Sequence, residues 1–176
     1  ADRMLDMGFL PDVKRLIAKL PKKKQTLFFS ATMPKEIRAL AESLLKNPIS
    51  IEVTPAATTV EKIDQTLYYV DKANKKRLLL KLLNKNRVQN ALVFTRTKSN
   101  ANRLAKYLNE AGVAAGVIHG NKSQNARQQA LLQFKEGKSR VLVATDIAAR
   151  GIDVQELSHV FNYDIPNEAE VYVHRI

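Results

Sequence analysis

The stretch RVLVATDIAARGIDV, residues 140–154, joins a run of apolar residues to the densest polar cluster in the chain. Its apolar part is the most hydrophobic of seven short runs rich in Val, Ile and Phe, and segments of helical period separate the runs. This alternation predicts an α/β fold, in which helices flank a parallel sheet. The seven predicted strands are LFFSAT (27–32), ISIEV (49–53), TLYYV (66–70), ALVFT (91–95), AAGVI (114–118), RVLVAT (140–145) and HVFNY (159–163).

Three of the intervening segments repeat apolar residues at the spacing of an amphipathic helix, which gives each helix one stripe to pack on a sheet. Pro34, Ser99 and Ser123 precede them and are residue types that favour helix starts. The apolar positions are Ile37, Leu40, Ala41, Leu44 and Leu45 in the first helix, Leu104, Ala105 and Leu108 in the second, and Ala130, Leu131 and Phe134 in the third.

The chain is expected to divide near residue 60, because the Thr- and Ala-rich stretch 55–63 has no clear period and starts at a Pro-containing break. Residues 64–176 supply five predicted strands, enough for a nearly complete domain. Residues 1–54 supply only two, so we expect them to be one piece of another domain.

The composition narrows the function classes. A net charge of +12 favours a polyanionic partner such as nucleic acid, although a solubilising basic surface is the alternative. The absence of cysteine excludes disulfides and thiolate metal sites, and only three histidines make a His-rich metal site unexpected. No segment has the length of a membrane span and the N-terminus does not resemble an export signal, so a cytoplasmic location is expected.

Polar clusters follow four of the predicted strands, where ligand groups lie in open α/β sheets. They are SAT (30–32), TRTK (95–98), HGNKSQNAR (119–127) and TDIAARGID (145–153). Each cluster alone has an ordinary structural interpretation, such as a helix cap for Ser30 and Thr32, a turn for His119 and Gly120, or an exposed helix face for Gln124 and Arg127. The four clusters taken together in this order are more specific evidence of function than any one cluster.

In the order ADRMLDMGF, SATMP, LVFTRTK, HGNKSQNAR, VATDIAARGIDV and YVHRI, these segments closely resemble the DEAD-box family of superfamily-2 RNA helicases, and specifically its bacterial RhlE-like branch. The resemblance covers essentially the whole chain. It implies a nearly complete C-terminal RecA-like domain, truncated at its end, and the C-terminal part of a first RecA-like domain. It also implies that the chain is an internal fragment, which we expect to run from the DEAD motif to the start of the HRIGR motif.

The resemblance implies roles for individual residues. Asp2 corresponds to the last letter of DEAD, and Asp2, Ser30, Thr32 and His174 are expected to couple the nucleotide state to the grip on RNA. Arg175 is the first arginine of the last motif, and Asp153 is expected to hydrogen-bond the ATP ribose. Residues expected to face the RNA sugar-phosphate backbone are Arg96, Thr97, Gly120, Gln124, Arg127, Thr145, Arg150 and Gly151, since such groups suit phosphate oxygens and carry little base information.

ATP and a magnesium ion (Mg2+) are the ligands that the resemblance implies for the parent protein. No GxxxxGK[ST] phosphate loop occurs in these residues, and the catalytic Asp-Glu pair and the arginine fingers would lie beyond the two ends. We therefore expect an incomplete ATP site, no metal ligand in the chain, and no ATP hydrolysis by the fragment alone.

The expected function of the parent is RNA-stimulated ATP hydrolysis coupled to local unwinding of RNA duplexes, with largely sequence-independent RNA contacts. Two alternatives stay open: a non-catalytic RNA-binding or interaction module, and a DNA-directed helicase. LFFSAT would be central in a complete first domain, so residues 1–54 are expected either to associate with another chain, including a second copy, or to be poorly ordered.

Overall fold

The computed structural model describes residues 8–30, 33, 35–52, 63–85, 88–149, 152, 154 and 157–175. The chain forms two compact units, Ala1–Pro55 and Ala56–Ile176. Described elements of the first unit are helices α1 (Leu10–Ala18) and α2 (Lys35–Leu44). Those of the second are α3 (Lys75–Leu83), β1 (Ala91–Phe94), α4 (Lys98–Glu110), β2 (Ala115–Ile118), α5 (Gln124–Lys135), β3 (Val141–Ala144), α6 (Asp146–Ala149), β4 (His159–Asn162) and α7 (Ala169–Val173).

The second unit is built on a four-stranded sheet with the order β2-β3-β1-β4. All three pairings are parallel, and Leu92 of β1 lies opposite Leu142 of β3 and Val160 of β4. The two central strands, β1 and β3, are buried at every position, as expected for a parallel sheet covered on both faces. The predicted α/β fold with a parallel sheet is confirmed.

Successive residues of the central strands point to opposite faces of the sheet and enter two separate cores. Val93 and Val143 pack in one core with Leu104 and Leu108 of α4. On the other face, Phe94 and Leu142 pack with residues that include Phe134 of α5. The helices therefore hold the sheet from both sides, which fixes the positions where its strands end.

Three of the seven predicted strands are wrong for the described residues. Segments 27–30, 49–52 and 66–70 have no strand assignment, while the other four predictions contain β1 to β4. Leu27, Ile49 and Tyr69 are 71%, 90% and 93% exposed, so these apolar runs do not lie on a covered sheet face. A strand needs the backbone of a neighbouring strand, and composition alone does not supply one.

The helix starts agree with the sequence in one case and differ in another. Ser123 caps α5 as predicted, because its side chain accepts a hydrogen bond from the backbone N–H of Ala126. Thr97, rather than Ser99, caps α4 by accepting from the backbone N–H of Asn100. Ser99 lies inside the first turn of α4, where its own backbone is already helical.

In the first unit, α2 buries Ile37 and Leu40, two positions of the predicted apolar stripe. Of the predicted linker, residues 55–62 lie outside the described residues, and the domain boundaries at 54 and 64 stay a prediction. Within the part of the chain that is described, no helix is long and apolar enough to cross a membrane.

Candidate functional site

The carboxyl ends of the four parallel strands meet at one edge of the sheet, which we call the carboxyl edge. Polar residues directly follow every strand at this edge. They are Thr95, Arg96 and Thr97 after β1, His119 and Gly120 after β2, Thr145 and Asp146 after β3, and Asp164 one residue beyond Tyr163 after β4. Helices α4, α5 and α6 begin close behind three of the strands, so their N-terminal N–H groups are at the same edge.

Arg96 is held by the segment that follows β4. Its backbone N–H donates to Asp164 Oδ2 at 3.0 Å, and its guanidinium donates to Ile165 O at 3.1 Å and Asn167 Oδ1 at 3.2 Å. Neighbouring Thr97 accepts a capping bond from Asn100 N at 3.1 Å. That bond uses an oxygen lone pair, so the Thr97 hydroxyl keeps its hydrogen for a donor role.

Asp164 connects the ends of β1 and β4, although it was not among the site residues predicted from the sequence. Burial acts to raise its pKa, but hydrogen bonds from the Arg96 N–H, Lys75 and Asn100, with the charge of Lys75, outweigh burial and lower the pKa. Lys75 Nζ lies 3.0 Å from Asp164 Oδ1. The same signal that selected the other residues, a polar group following a strand at the carboxyl edge, would have found it.

His119 is buried, at 2% exposure, and bonded on both sides of its ring. Nε2 lies 3.0 Å from Asn102 Oδ1, and Asn121 N donates to Nδ1 at 3.2 Å. These partners assign the proton of a neutral ring to Nε2. Burial, then the charges of Lys122 and Lys98, lower the pKa of His119, so the ring is neutral at neutral pH.

Gly120 lies beside Lys98, whose Nζ donates to Asn121 Oδ1 at 2.7 Å. A Cβ at Gly120 would lie 3.6 Å from Lys98 Cε, an ordinary contact, so packing does not require glycine here. Gln124 and Arg127 share one face of α5, as their spacing predicts, and Arg127 Nη1 donates to Gln124 Oε1 at 3.2 Å. Arg127 Nε is buried without a hydrogen-bond partner among the described residues.

Thr145 begins the short helix α6. Its backbone N–H donates to Ile118 O at 3.3 Å, and its carbonyl accepts from Ala148 N and Ala149 N, both at 3.0 Å. The next residue, Asp146, accepts from Arg175 Nε at 2.5 Å and from Arg175 Nη2 at 2.8 Å. Asp146 lies in the polar cluster 145–153, but the sequence does not mark it as a site residue.

The structure brings six predicted RNA-facing residues to the carboxyl edge and leaves others undescribed or apart. Those at the edge are Arg96, Thr97, Gly120, Gln124, Arg127 and Thr145. Asp2, Thr32, Arg150, Gly151 and Asp153 lie outside the described residues. Ser30 belongs to the first unit and His174 to the second, where the His174 Nε2 is buried without a described hydrogen-bond partner.

The chemistry of this edge suits an extended anion. It combines cationic side chains, hydroxyls and helix N-termini, all of which bind phosphate oxygens and none of which selects a base. Among the described residues, no group of three or more His, Asp or Glu side chains could hold a metal ion. The described part of the site is therefore suited to binding a polyanion.

Family comparisons match both units. The family described as "Helicase conserved C-terminal domain" matches residues 74–176, and "DEAD/DEAH box helicase" matches residues 1–40. The chain is 45% identical over 177 residues to the RNA helicase CrhR of Synechocystis sp., covering 100% of this chain and 36% of that protein. It is 46% identical over 178 residues to the DEAD-box ATP-dependent RNA helicase CshA of Geobacillus kaustophilus, covering 100% of this chain and 38% of that protein.

A solved structure gives the same assignment of fold. The structure of S. cerevisiae Dbp5 bound to RNA and ADP BeF3 matches with a TM-score of 0.80 and 29% sequence identity. The match covers 99% of this chain and 46% of the Dbp5 chain. The chain thus spans between a third and a half of the length of these similar proteins.

Proposed function

Because this chain belongs to the DEAD-box family of helicases, we propose that the whole protein is an ATP-dependent RNA helicase, which couples RNA-stimulated ATP hydrolysis to local unwinding of RNA duplexes. The single observation that carries this proposal is the convergence of Arg96, Thr97, Arg127 and Thr145 at the carboxyl edge. These groups suit the sugar-phosphate backbone of a single strand. The RNA-bound state of a similar structure, that of Dbp5, supports RNA as the polyanion.

In this proposal, the second unit binds RNA without reading its sequence. Arg96 and Arg127 supply charge to phosphate oxygens, and the hydroxyls of Thr97 and Thr145 donate hydrogen bonds to the same backbone. Gly120 and Gln124 lie along the same edge, and Arg150 and Gly151 follow α6 in sequence. Contacts of this kind give affinity that falls with salt and depends little on base sequence.

ATP is the proposed second substrate, with Mg2+ as its companion ion. A bound Mg2+ would neutralise charge on the phosphates during phosphoryl transfer. From this chain we propose that Asp153 binds the ribose and that Asp2, Ser30, Thr32 and His174 couple the nucleotide state to RNA binding.

Arg175 makes its observed hydrogen bonds to protein acceptors rather than presenting its guanidinium to solvent. The RhlE-like branch and a cytoplasmic location are also proposed.

The test uses the whole purified protein and three conditions: ATP alone, ATP with single-stranded RNA, and ATP with DNA of the same sequence. We expect RNA to stimulate phosphate release several-fold and DNA to do so much less. A short RNA duplex should separate only when ATP is present.

Each rival gives a different result when binding of RNA and of DNA is measured beside phosphate release. Tight RNA binding without any stimulated phosphate release would support the non-catalytic RNA-binding module instead. Equal stimulation by RNA and DNA would support a helicase that is not directed to RNA. Failure of both nucleic acids to bind would contradict a polyanion site at the carboxyl edge.

A further inference from the structure

The side chain of Arg175 is 3% exposed and uses its guanidinium fully within the protein. Besides its two bonds to Asp146, it donates through Nη1 to Asn162 Oδ1 at 2.8 Å and to Asp164 O at 2.7 Å. Its central carbon lies 4.8 Å from the centre of the Phe94 ring, in cation–π geometry. One buried cation therefore joins groups at the carboxyl ends of three strands.

The strands joined in this way carry predicted RNA-facing groups. Phe94 ends β1 and is followed after Thr95 by Arg96, while Asp146 directly follows Thr145 at the end of β3. Asp164 follows β4 and binds the backbone of Arg96 through its side chain, while its carbonyl accepts from Arg175. Arg175 is thus connected to both Arg96 and Thr145 through no more than two residues on each path.

Stability alone is a weak explanation for this ion pair. The Arg175 side chain is buried and that of Asp146 is about one-third exposed, so the pair carries a desolvation penalty that the attraction between the charges offsets only in part. What a bidentate Arg–carboxylate pair supplies better than apolar side chains is a fixed orientation, because two parallel bonds resist rotation. Asp146, at the first residue of α6, is placed to convert this orientation into that of Thr145.

We propose that Asp146 is a positioning residue for RNA binding. Its bidentate pair with Arg175 holds the turn that begins at Thr145 in a fixed position relative to the end of β1. This inference rests on the proposed function and deepens it. Asp146 contacts neither RNA nor ATP in this scheme. It acts through Arg175, and it fixes where the RNA-facing groups of β1 and β3 lie relative to each other.

The decisive experiment replaces the pair by apolar residues in the whole protein, as Asp146→Leu with Arg175→Met, so that no unpaired charge stays buried. RNA-stimulated ATP hydrolysis is measured against RNA concentration, together with the melting temperature. We expect the RNA concentration at half-maximal stimulation to rise about tenfold or more, since small displacements of positioned groups commonly cost one to two orders of magnitude. The melting temperature should fall, because Asn162 and Asp164 lose a donor, so hydrolysis is measured well below it.

Asp146→Asn is the second variant, because it keeps the shape of the side chain and removes one acceptor of the bidentate pair. It should raise the half-saturating RNA concentration while the half-saturating ATP concentration, measured at saturating RNA, stays close to that of the wild type. Glu136→Gln is the matched control: Glu136 pairs with Lys138 on the surface before β3, and its loss should alter neither value.

Two results separate this inference from the proposed function. If the wild-type protein shows RNA-stimulated hydrolysis and the variant with Asp146→Leu and Arg175→Met retains the wild-type RNA dependence, the positioning role is overturned and the proposed function stands. If RNA does not stimulate ATP hydrolysis by the wild-type protein, both the proposed function and this inference are wrong. A fall in melting temperature with unchanged RNA dependence would assign the pair to structure only and would also overturn the inference.

Discussion

His119 is a buried side chain at the carboxyl edge that makes the free energy of unfolding depend on pH. Its ring accepts from one backbone N–H and faces Asn102, and the lysines beside it, Lys98 and Lys122, disfavour a positive charge. A protonated ring would lose the acceptor role of Nδ1 toward Asn121. The folded state therefore favours the neutral form of the His119 ring.

The free energy of unfolding should therefore decrease as the pH falls below the ordinary histidine value of about 6.5. The folded pKa is lowered, so the unfolded chain binds the proton more readily and protonation favours unfolding. Urea unfolding of the 176-residue chain between neutral and mildly acidic pH measures this effect. His119→Gln should show a smaller decrease over the same range, and an identical decrease in both proteins would contradict the lowered pKa.

Residue identities were predictable where a sequence pattern marks a strand end, and less so where the role arises from a distant partner. Arg96, Thr97 and Thr145 follow apolar runs directly, and each lies at the carboxyl edge. The pairings of Asp146 and Asp164 were not predictable, because their partners, Arg175 and Lys75, lie 29 and 89 residues away in the chain. Only the fold shows that these side chains meet.

At the scale of secondary-structure elements, the start of α4 offers a sharp test. The Thr97 side chain accepts from Asn100 N, whereas Ser99 lies within the first turn. Thr97→Ala should lower the free energy of unfolding by about 1 kcal/mol through loss of the cap. Ser99→Ala should change it by less than about 0.5 kcal/mol, because alanine is the better helix former inside a helix.

Chemical denaturation of the 176-residue chain and both variants measures the two effects. The comparison matters because the sequence alone favoured Ser99, the wrong residue, as the cap. Equal losses for the two variants, or a larger loss for Ser99→Ala, would contradict the capping bond of Thr97.

Most of the elements that the sequence predicted well lie in the second unit, where their packing partners are present. Strands β1 to β4 and helices α4 and α5 each bury an apolar face against another of these elements. Segments 49–52 and 66–70 have strand composition as well, yet Ile51 and Leu67 are 84% and 61% exposed. Composition specifies the tendency to form a strand, whereas pairing specifies the strand itself.

The whole molecule carries a net charge of +12, so RNA binding should weaken steeply as salt rises. Arg127→Ala should weaken binding of the 176-residue chain uniformly across RNA sequences and reduce the salt slope by about 1. Lys138→Ala removes the same charge from the turn before β3, at the opposite edge of the sheet, and should leave the slope nearly unchanged. Fluorescence anisotropy of labelled RNA at several salt concentrations measures both.

If both variants reduce the slope equally, binding follows total charge rather than the carboxyl edge. The net charge alone predicted a polyanionic partner but gave no location for it. The topology supplies the location, because a parallel sheet collects the ends of all its strands at one side. At this scale the sequence predicted the fold class and the polar residues after the strands, while the structure shows which strands are neighbours, in the order β2-β3-β1-β4.

That strand order also determines when the second unit can be completed during synthesis. β1 pairs with β4, and the backbone N–H of Ser158, just before β4, donates to Asn90 Oδ1 across 68 residues of chain. One edge of β1 therefore stays unpaired during synthesis until β4 has been made. Closing so long a loop is slow compared with local helix formation. During this time the unpaired edge of β1 can pair incorrectly with other segments.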